Sequence, residues 1–231
     1  MIKSIIMQLV VFLFLLPATA QDVPAQFCYE LHQGSKKTYS TEMTGAAAQI
    51  KTETTEEVVA AEDDVVILRM SVDSSGGIAT PTTTVVDMTY RQANEMWTAA
   101  GHQRTLHNGQ VPLATLEGKF AQQQLSAPNC VQNGLNTVIT EIENGSITQN
   151  QEISISGFVD MMVLGENVTV LAVQTETSTV ANFNGQKIAQ GSLFTETFYH
   201  SELGMVGLKT SMDAFSSEQV LTHAMGFPSY P

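Results

Sequence analysis

The chain has 231 residues, of which 10 are basic and 23 acidic, for a formal net charge of −13. A surface that negative repels phosphate backbones and anionic bilayers, which argues against nucleic acid or an anionic membrane as partner. The length suits one large all-β domain and is short for two ordinary domains.

The N-terminus reads as an export leader. Lys3 precedes an apolar run over 5–16, interrupted by Gln8, and Pro17 then precedes Ala18-Thr19-Ala20, the small-x-small pattern of a cleavage site. The run is shorter than the ~20 apolar residues a spanning helix needs. Residues 1–20 are therefore expected to be a signal peptide cleaved after Ala20, and 21–231 a single β-rich domain that is secreted or periplasmic. No transmembrane segment is expected after the leader is removed. No cysteine follows the cut directly, which argues against an acylated N-terminus.

Cys28 and Cys130 are the two cysteines of the chain. In an exported protein an even pair is most simply a disulfide. One cysteine per locality, with no CxxC or close Cys-His pattern, argues against metal ligation. Two separate free thiols are the alternative, because sequence alone does not bring two Cα atoms within bonding distance.

Extended segments are expected near 26–33 and 38–45. Between them and the next strand lies an acidic run with Glu53, Glu56, Glu57, Glu62, Asp63 and Asp64. It lacks the loop spacing and turning glycine of a calcium site, and reads as a solvated face leading into a turn. Over 65–72, Val66, Leu68, Met70 and Val72 alternate with Ile67, Arg69 and Ser71, the period of a strand. Another strand is expected over 82–90, and RQANEMWTAAG suits a short helix or a strand.

A helix is predicted over 112–125, where Leu113, Leu116, Phe120 and Leu125 approximate one face and Pro112 suits a first turn. Gly118 weakens it by about 1 kcal/mol relative to alanine. Strands follow near 137–143, 146–156, 167–183, 187–199 and 205–213, and SEQVLTHAMGF adds a last one. Four Asn-Gly pairs, at 108, 133, 144 and 184, mark two-residue type I′ turns. Such a turn sets Leu106 opposite Val111 and Ile142 opposite Ile147, whereas the pair at 133 fits less well. The fold class is all-β, mainly antiparallel, as a curved sheet, half-barrel or sandwich with one or two short helices.

Chemistry is sparse. There is no G-x-S-x-G elbow, H-E-x-x-H helix, phosphate-cradling glycine loop or EF-hand loop. His102 and His107 suit neither one helical face nor one side of a strand, so no metal, cofactor or catalytic residue is assigned. Asn144 and Asn167 open Asn-x-Ser/Thr sequons, which matter only in a source that glycosylates them. The stretch FYHSELGMVG offers His200 and Glu202 as a dyad, but no third group accompanies them. It reads instead as a turn over Ser201-Glu202-Leu203, closed by Gly204 in the left-handed conformation.

Phe198-Tyr199, the short polar turn and Leu203-Gly204-Met205-Val206 resemble the C-terminal part of TapB-like exported bacterial proteins. Phe198 stands where that family usually has tryptophan, and the basic residue near the motif's end is displaced to Lys209. The resemblance covers about the last third of the mature chain. It implies an exported, curved β-sheet fold and supplies no catalytic residues.

The function expected is that of an exported, non-catalytic β-rich protein, a structural or surface-associated module. One alternative is a carrier of an apolar ligand or lipid on the concave face, lined from Trp97, Met161, Met162, Met205 and Met212. The other is a hydrolase whose site assembles only in space.

Overall fold

The computed structural model describes residues 23–45, 50–75, 82–93, 96–107, 115–118, 127–142, 145–212 and 215–230. In chain order the strands are β1 (Gln26–Cys28), β2 (Lys36–Gly45), β3 (Ile50–Ala61), β4 (Val65–Ser75), β5 (Thr82–Ala93), β6 (Met96–His107) and β7 (Thr115–Gly118). There follow β8 (Cys130–Gln132), β9 (Gly134–Ile142), β10 (Gly145–Val163), β11 (Glu166–Phe183), β12 (Gln186–His200), β13 (Gly204–Met212) and β14 (Phe215–Met225).

Two meanders make one 12-stranded antiparallel sheet. The first runs outward from β2 to β7. The second returns from β9 to β14, and β14 pairs with β2 in the middle. The outermost strands β7 and β9 approach to within 8 Å but share no ladder among the described residues, so the sheet curls without closing into a barrel. β1 and β8 pair as a separate two-stranded sheet.

Side-chain alternation is clearest on β11. On β11 Val173 and Thr177 are buried while Gln174 and Glu176 between them are exposed. Bulges between Val58 and Ala60, Ile155 and Gly157, Phe198 and Tyr199, and Leu221 and His223 bend the ladder, as one extra residue does. The outward face carries cross-strand charges. Lys36, Glu57, Arg69 and Asp87 lie in one row across four strands, with Lys36–Glu57 at 3.3 Å and Arg69–Asp87 at 2.7 Å.

This row corrects the reading of the acidic run. Glu53, Glu56 and Glu57 stand in β3, and only 62–64 form the turn. Lys36 and Lys37 on the neighbouring strand pair with Glu57 and Glu56 and compensate part of the charge that made the run look solvated.

Helix is absent among the described residues. Thr115–Gly118, inside the predicted helix, is β7 and pairs with β6 from Gly101 to Arg104; the rest of 112–125 lies outside the described residues. An available strand edge outweighs a helical face already weakened by Gly118. RQANEMWTAAG likewise runs from β5 into β6.

The Asn-Gly pairs behave differently from one another. Asn184 and Gly185 take φ of 48° and 76° between paired Phe183 and Gln186, a type I′ turn. In the β9–β10 pair Ile142 meets Gly145, not Ile147, one residue off the register of an Asn144-Gly145 turn, and 143–144 lie outside the described residues. Gly145 is held inside the strand because a Cβ there would overlap the carbonyl oxygen of Asn182. Arg104 pairs with Thr115, two residues off the register of a tight turn at Asn108-Gly109, which itself lies outside the described residues. Asn133-Gly134 joins β8 to β9 and turns no hairpin; the Asn133 side chain accepts the Ile155 N–H at 2.6 Å.

Two apolar clusters hold the second meander. Ile155, Leu171 and Val173 pack with Phe27 and Val131 of the small sheet and with Tyr199. Val163, Val170, Ala172 and Phe198 pack with Leu203 of the 201–203 turn, Val206 of β13 and Phe227 of the C-terminal tail.

Candidate functional site

The titratable side chains converge where the small sheet meets the large one. β1 and β8 run antiparallel with Cys28 directly opposite Cys130, Cα atoms 4.1 Å apart and the sulfurs at disulfide distance. Mass measurement after alkylation without reductant should add no alkyl groups, and two added groups would overturn the bridge. Replacing both cysteines by serine should cost about 2–4 kcal/mol, since a bridge spanning 102 residues restrains the unfolded chain strongly.

The chain leaves β1 through Tyr29, whose N–H bonds to the Asn129 carbonyl and whose hydroxyl donates to that of Pro128 at 3.2 Å. Its ring stacks on Tyr199, centroids 6.0 Å apart. Beneath lies an ion pair. Lys37, 3 % exposed, places Nζ 2.6 Å from Glu56 Oε1 and 5.9 Å from the ring centres of both Tyr29 and Tyr39. Two cation–π faces and a carboxylate together replace the water a buried ammonium loses.

The tyrosines answer to the same environment. Burial, and after it the Glu56 charge, raises the pKa of Tyr29 and Tyr39 well above the ordinary phenol value. Tyr199 is pushed up to about 12 by the same two causes, and Tyr90 is raised too. Their hydroxyls are neutral donors, spent on Pro128 and on the Met205 carbonyl (Tyr39, 2.9 Å).

The FYHSELGMVG segment sits against this cluster. His200 ends β12, residues 201–203 turn, and Gly204 opens β13 opposite His200. His200 Nδ1 accepts the N–H groups of Glu202 and Leu203 at 3.3 and 3.4 Å. The Glu202 carboxylate points away to Ser229, accepting its N–H and its hydroxyl, each at 2.7 Å. Those bonds, the backbone one foremost, hold the Glu202 pKa below the usual carboxylate value. The two side chains serve the turn and the tail separately and do not form a dyad.

Gly204 has φ of +68°, and a Cβ there would come within 2.6 Å of the Tyr29 ring. Left-handed backbone costs a side chain about 1–2 kcal/mol, and overpacking a fixed ring adds about 1–3. Gly204→Val should therefore lower stability by more than about 2 kcal/mol in urea melts, well beyond His200→Ala. A Gly204→Val protein as stable as wild type would sink the assignment.

The residues proposed as a carrier's lining do not share one surface. Met161 and Met205 pack against the cluster around Phe198, Met162 is 59 % exposed, and Trp97 is buried on β6. The side chain of Met212 lies outside the described residues, as do those of His102 and His107.

Sequence reading missed Lys37, Glu56 and the tyrosines. The available signal was parity: in Lys36-Lys37-Thr38-Tyr39, Lys37 shares a face with Tyr39.

No family model matches the chain, and no curated protein matches it in sequence. Among solved structures it is similar to a Bacteroides fragilis protein described as exported with a YmcC-like fold, at 7% identity and TM-score 0.48 over 86% of this chain and 99% of that one. It is also similar to a Parabacteroides distasonis protein described as a lipoprotein, at 8% identity and TM-score 0.51 over 87% of this chain and 100% of that one. At such identity, the likeness to the Parabacteroides protein is one of fold alone.

Proposed function

We propose that this is an exported, non-catalytic β-sheet protein that serves as a structural or surface-associated module, its leader removed after Ala20. One observation carries the reading. At the junction Lys37 is engaged by Glu56, His200 by the turn amides, Glu202 by Ser229, and the Tyr29 and Tyr39 hydroxyls by backbone carbonyls. Catalysis needs a nucleophile or base held near its working protonation state with an open side toward substrate. Tyrosines whose pKa is raised supply neither.

Export is supported by the leader pattern and by the apposed cysteines. The lipoprotein description of the Parabacteroides protein that shares the fold agrees with it, and the TapB-like resemblance of 198–206 belongs to the same reading.

Purified mature protein should turn over no generic ester, peptide or glycoside substrate. Turnover that His200→Ala or Glu202→Ala abolishes would replace this reading with the hydrolase. An apolar mass retained in native mass spectrometry would replace it with the carrier.

A further inference from the structure

We propose that a groove on the outer face of β12, β13 and β14 binds an uncharged sugar ring. The groove has a volume of about 410 Å³ and its walls include Phe194, Glu196, Lys209 and Glu218, with Ser211 and Ser216 in its floor. Two cross-strand rows build it. Glu196, Lys209 and Glu218 face one another in the first, and Phe194, Ser211 and Ser216 in the second. The serines are short and stand side by side, so the floor drops between the Phe194 ring and the wall formed by Glu42 on β2.

Phe194 is one of several large apolar side chains left exposed, and the one among them that lines the groove. Its ring is 42 % exposed, and its cross-strand neighbours are Ser211, too short to cover it, and Glu176, exposed and charged. A phenyl face left in water, in a row of hydroxyls and carboxylates, is uncovered apolar surface with polar groups beside it.

A pyranose has the matching surface. Its C–H face lies on an aromatic ring, while its hydroxyls donate to carboxylates and accept from an ammonium or a serine. The groove alternates such partners as Glu196, Lys209 and Glu218, with Lys209 Nζ 3.9 Å from Glu218. An apolar ligand would strip water from these groups and return no hydrogen bonds. An anion would meet Glu42, Glu196 and Glu218 together. A peptide strand has no free edge here, because β12, β13 and β14 are paired on both sides. The volume lies at the low end of small-molecule sites and suits one or two rings.

Saturation-transfer NMR on the whole protein tests the proposal, with methyl β-glucoside, maltose, cellobiose and diacetylchitobiose as probes and tetramethylammonium as a cationic control. At least one sugar should show saturable transfer, strongest at its ring C–H protons, with a dissociation constant in the millimolar range. Phe194→Ala should weaken it roughly tenfold or more. Ser211→Gln, which fills the floor and leaves the ring in place, should weaken it as well. Both sites are exposed, so melting temperatures close to wild type are expected. Absence of saturable transfer from all four sugars would overturn the proposal. So would undiminished binding by the folded Phe194→Ala protein, or saturable binding of tetramethylammonium alone.

Discussion

Above pH 10 the protein should unfold cooperatively, and the buried tyrosines should ionise only as it does so. Tyr29, Tyr39 and Tyr199 have folded pKa values raised chiefly by burial, and Tyr199 lies at about 12. An unfolded tyrosine releases its proton near pH 10. The folded state keeps those protons, so its stability is complete below pH 10 and declines as pH rises above it. Each tyrosine contributes about 1.4 kcal/mol per pH unit, and three together about 4 kcal/mol per unit, until each folded value is reached. Domain stabilities of roughly 5–15 kcal/mol are consumed within a few units at that slope. Parallel titration by tyrosinate absorbance and far-ultraviolet circular dichroism tests this. Gradual ionisation of all five tyrosines near pH 10 with the strand signal intact would overturn the buried cluster.

Removing one member of the Lys37–Glu56 pair should be the most damaging polar substitution in the chain. Lys37→Met leaves the Glu56 carboxylate under Tyr29 and Tyr39 with its 2.6 Å partner gone, and Glu56→Gln leaves the ammonium. Breaking a buried pair from one side typically costs about 3–5 kcal/mol. Joint replacement by Lys37→Met and Glu56→Leu should restore stability to near wild type or above it, because both desolvation costs vanish together. Urea denaturation of Lys37→Met, Glu56→Leu and the double variant closes the cycle and gives the coupling. Single variants within about 0.5 kcal/mol of wild type would show that the pair is solvated. Glu56→Gln should also lower the pKa of Tyr29 and Tyr39, for which the Glu56 charge is the second cause of elevation.

Strands were legible where apolar and polar residues alternate in sequence, as over Val66–Val72, and along β11 one face is buried and the other wet, so that water imposes the alternation. β3 was illegible for a chemical reason. Glu53, Glu56 and Glu57 break the apolar pattern, and the lysines that pair with Glu56 and Glu57 lie on a partner strand. Register was harder than strand identity. Asn144-Gly145 announces a hairpin, yet Ile142 meets Gly145, one residue off that register, since Gly145 must let the Asn182 carbonyl approach from β11. The turn at Leu164-Gly165, with φ of 52° and 89°, carries no asparagine and gave little notice of itself. Gly204 was readable from its local motif, whereas the tyrosine cluster was not. Tyr29 and Tyr39, Tyr90, and Tyr199 come from three distant parts of the chain, and the fold unites them.

The pairing of β2 with β14 governs when the sheet can be completed. Thr222 donates to the Thr38 carbonyl across 184 residues of sequence, and Thr41 meets Gln219 in the same ladder. Each meander consists of hairpins between neighbours and can zip locally, on the fast side of β-sheet assembly. Joining the two requires nearly the whole chain to be present, and until then β2 offers an unpaired edge to any passing strand. A chain that emerges from its N-terminus exposes that edge until β14 follows. The seam between the meanders is thus the slowest contact to form, and the interval before it forms is when this protein is most open to misassembly.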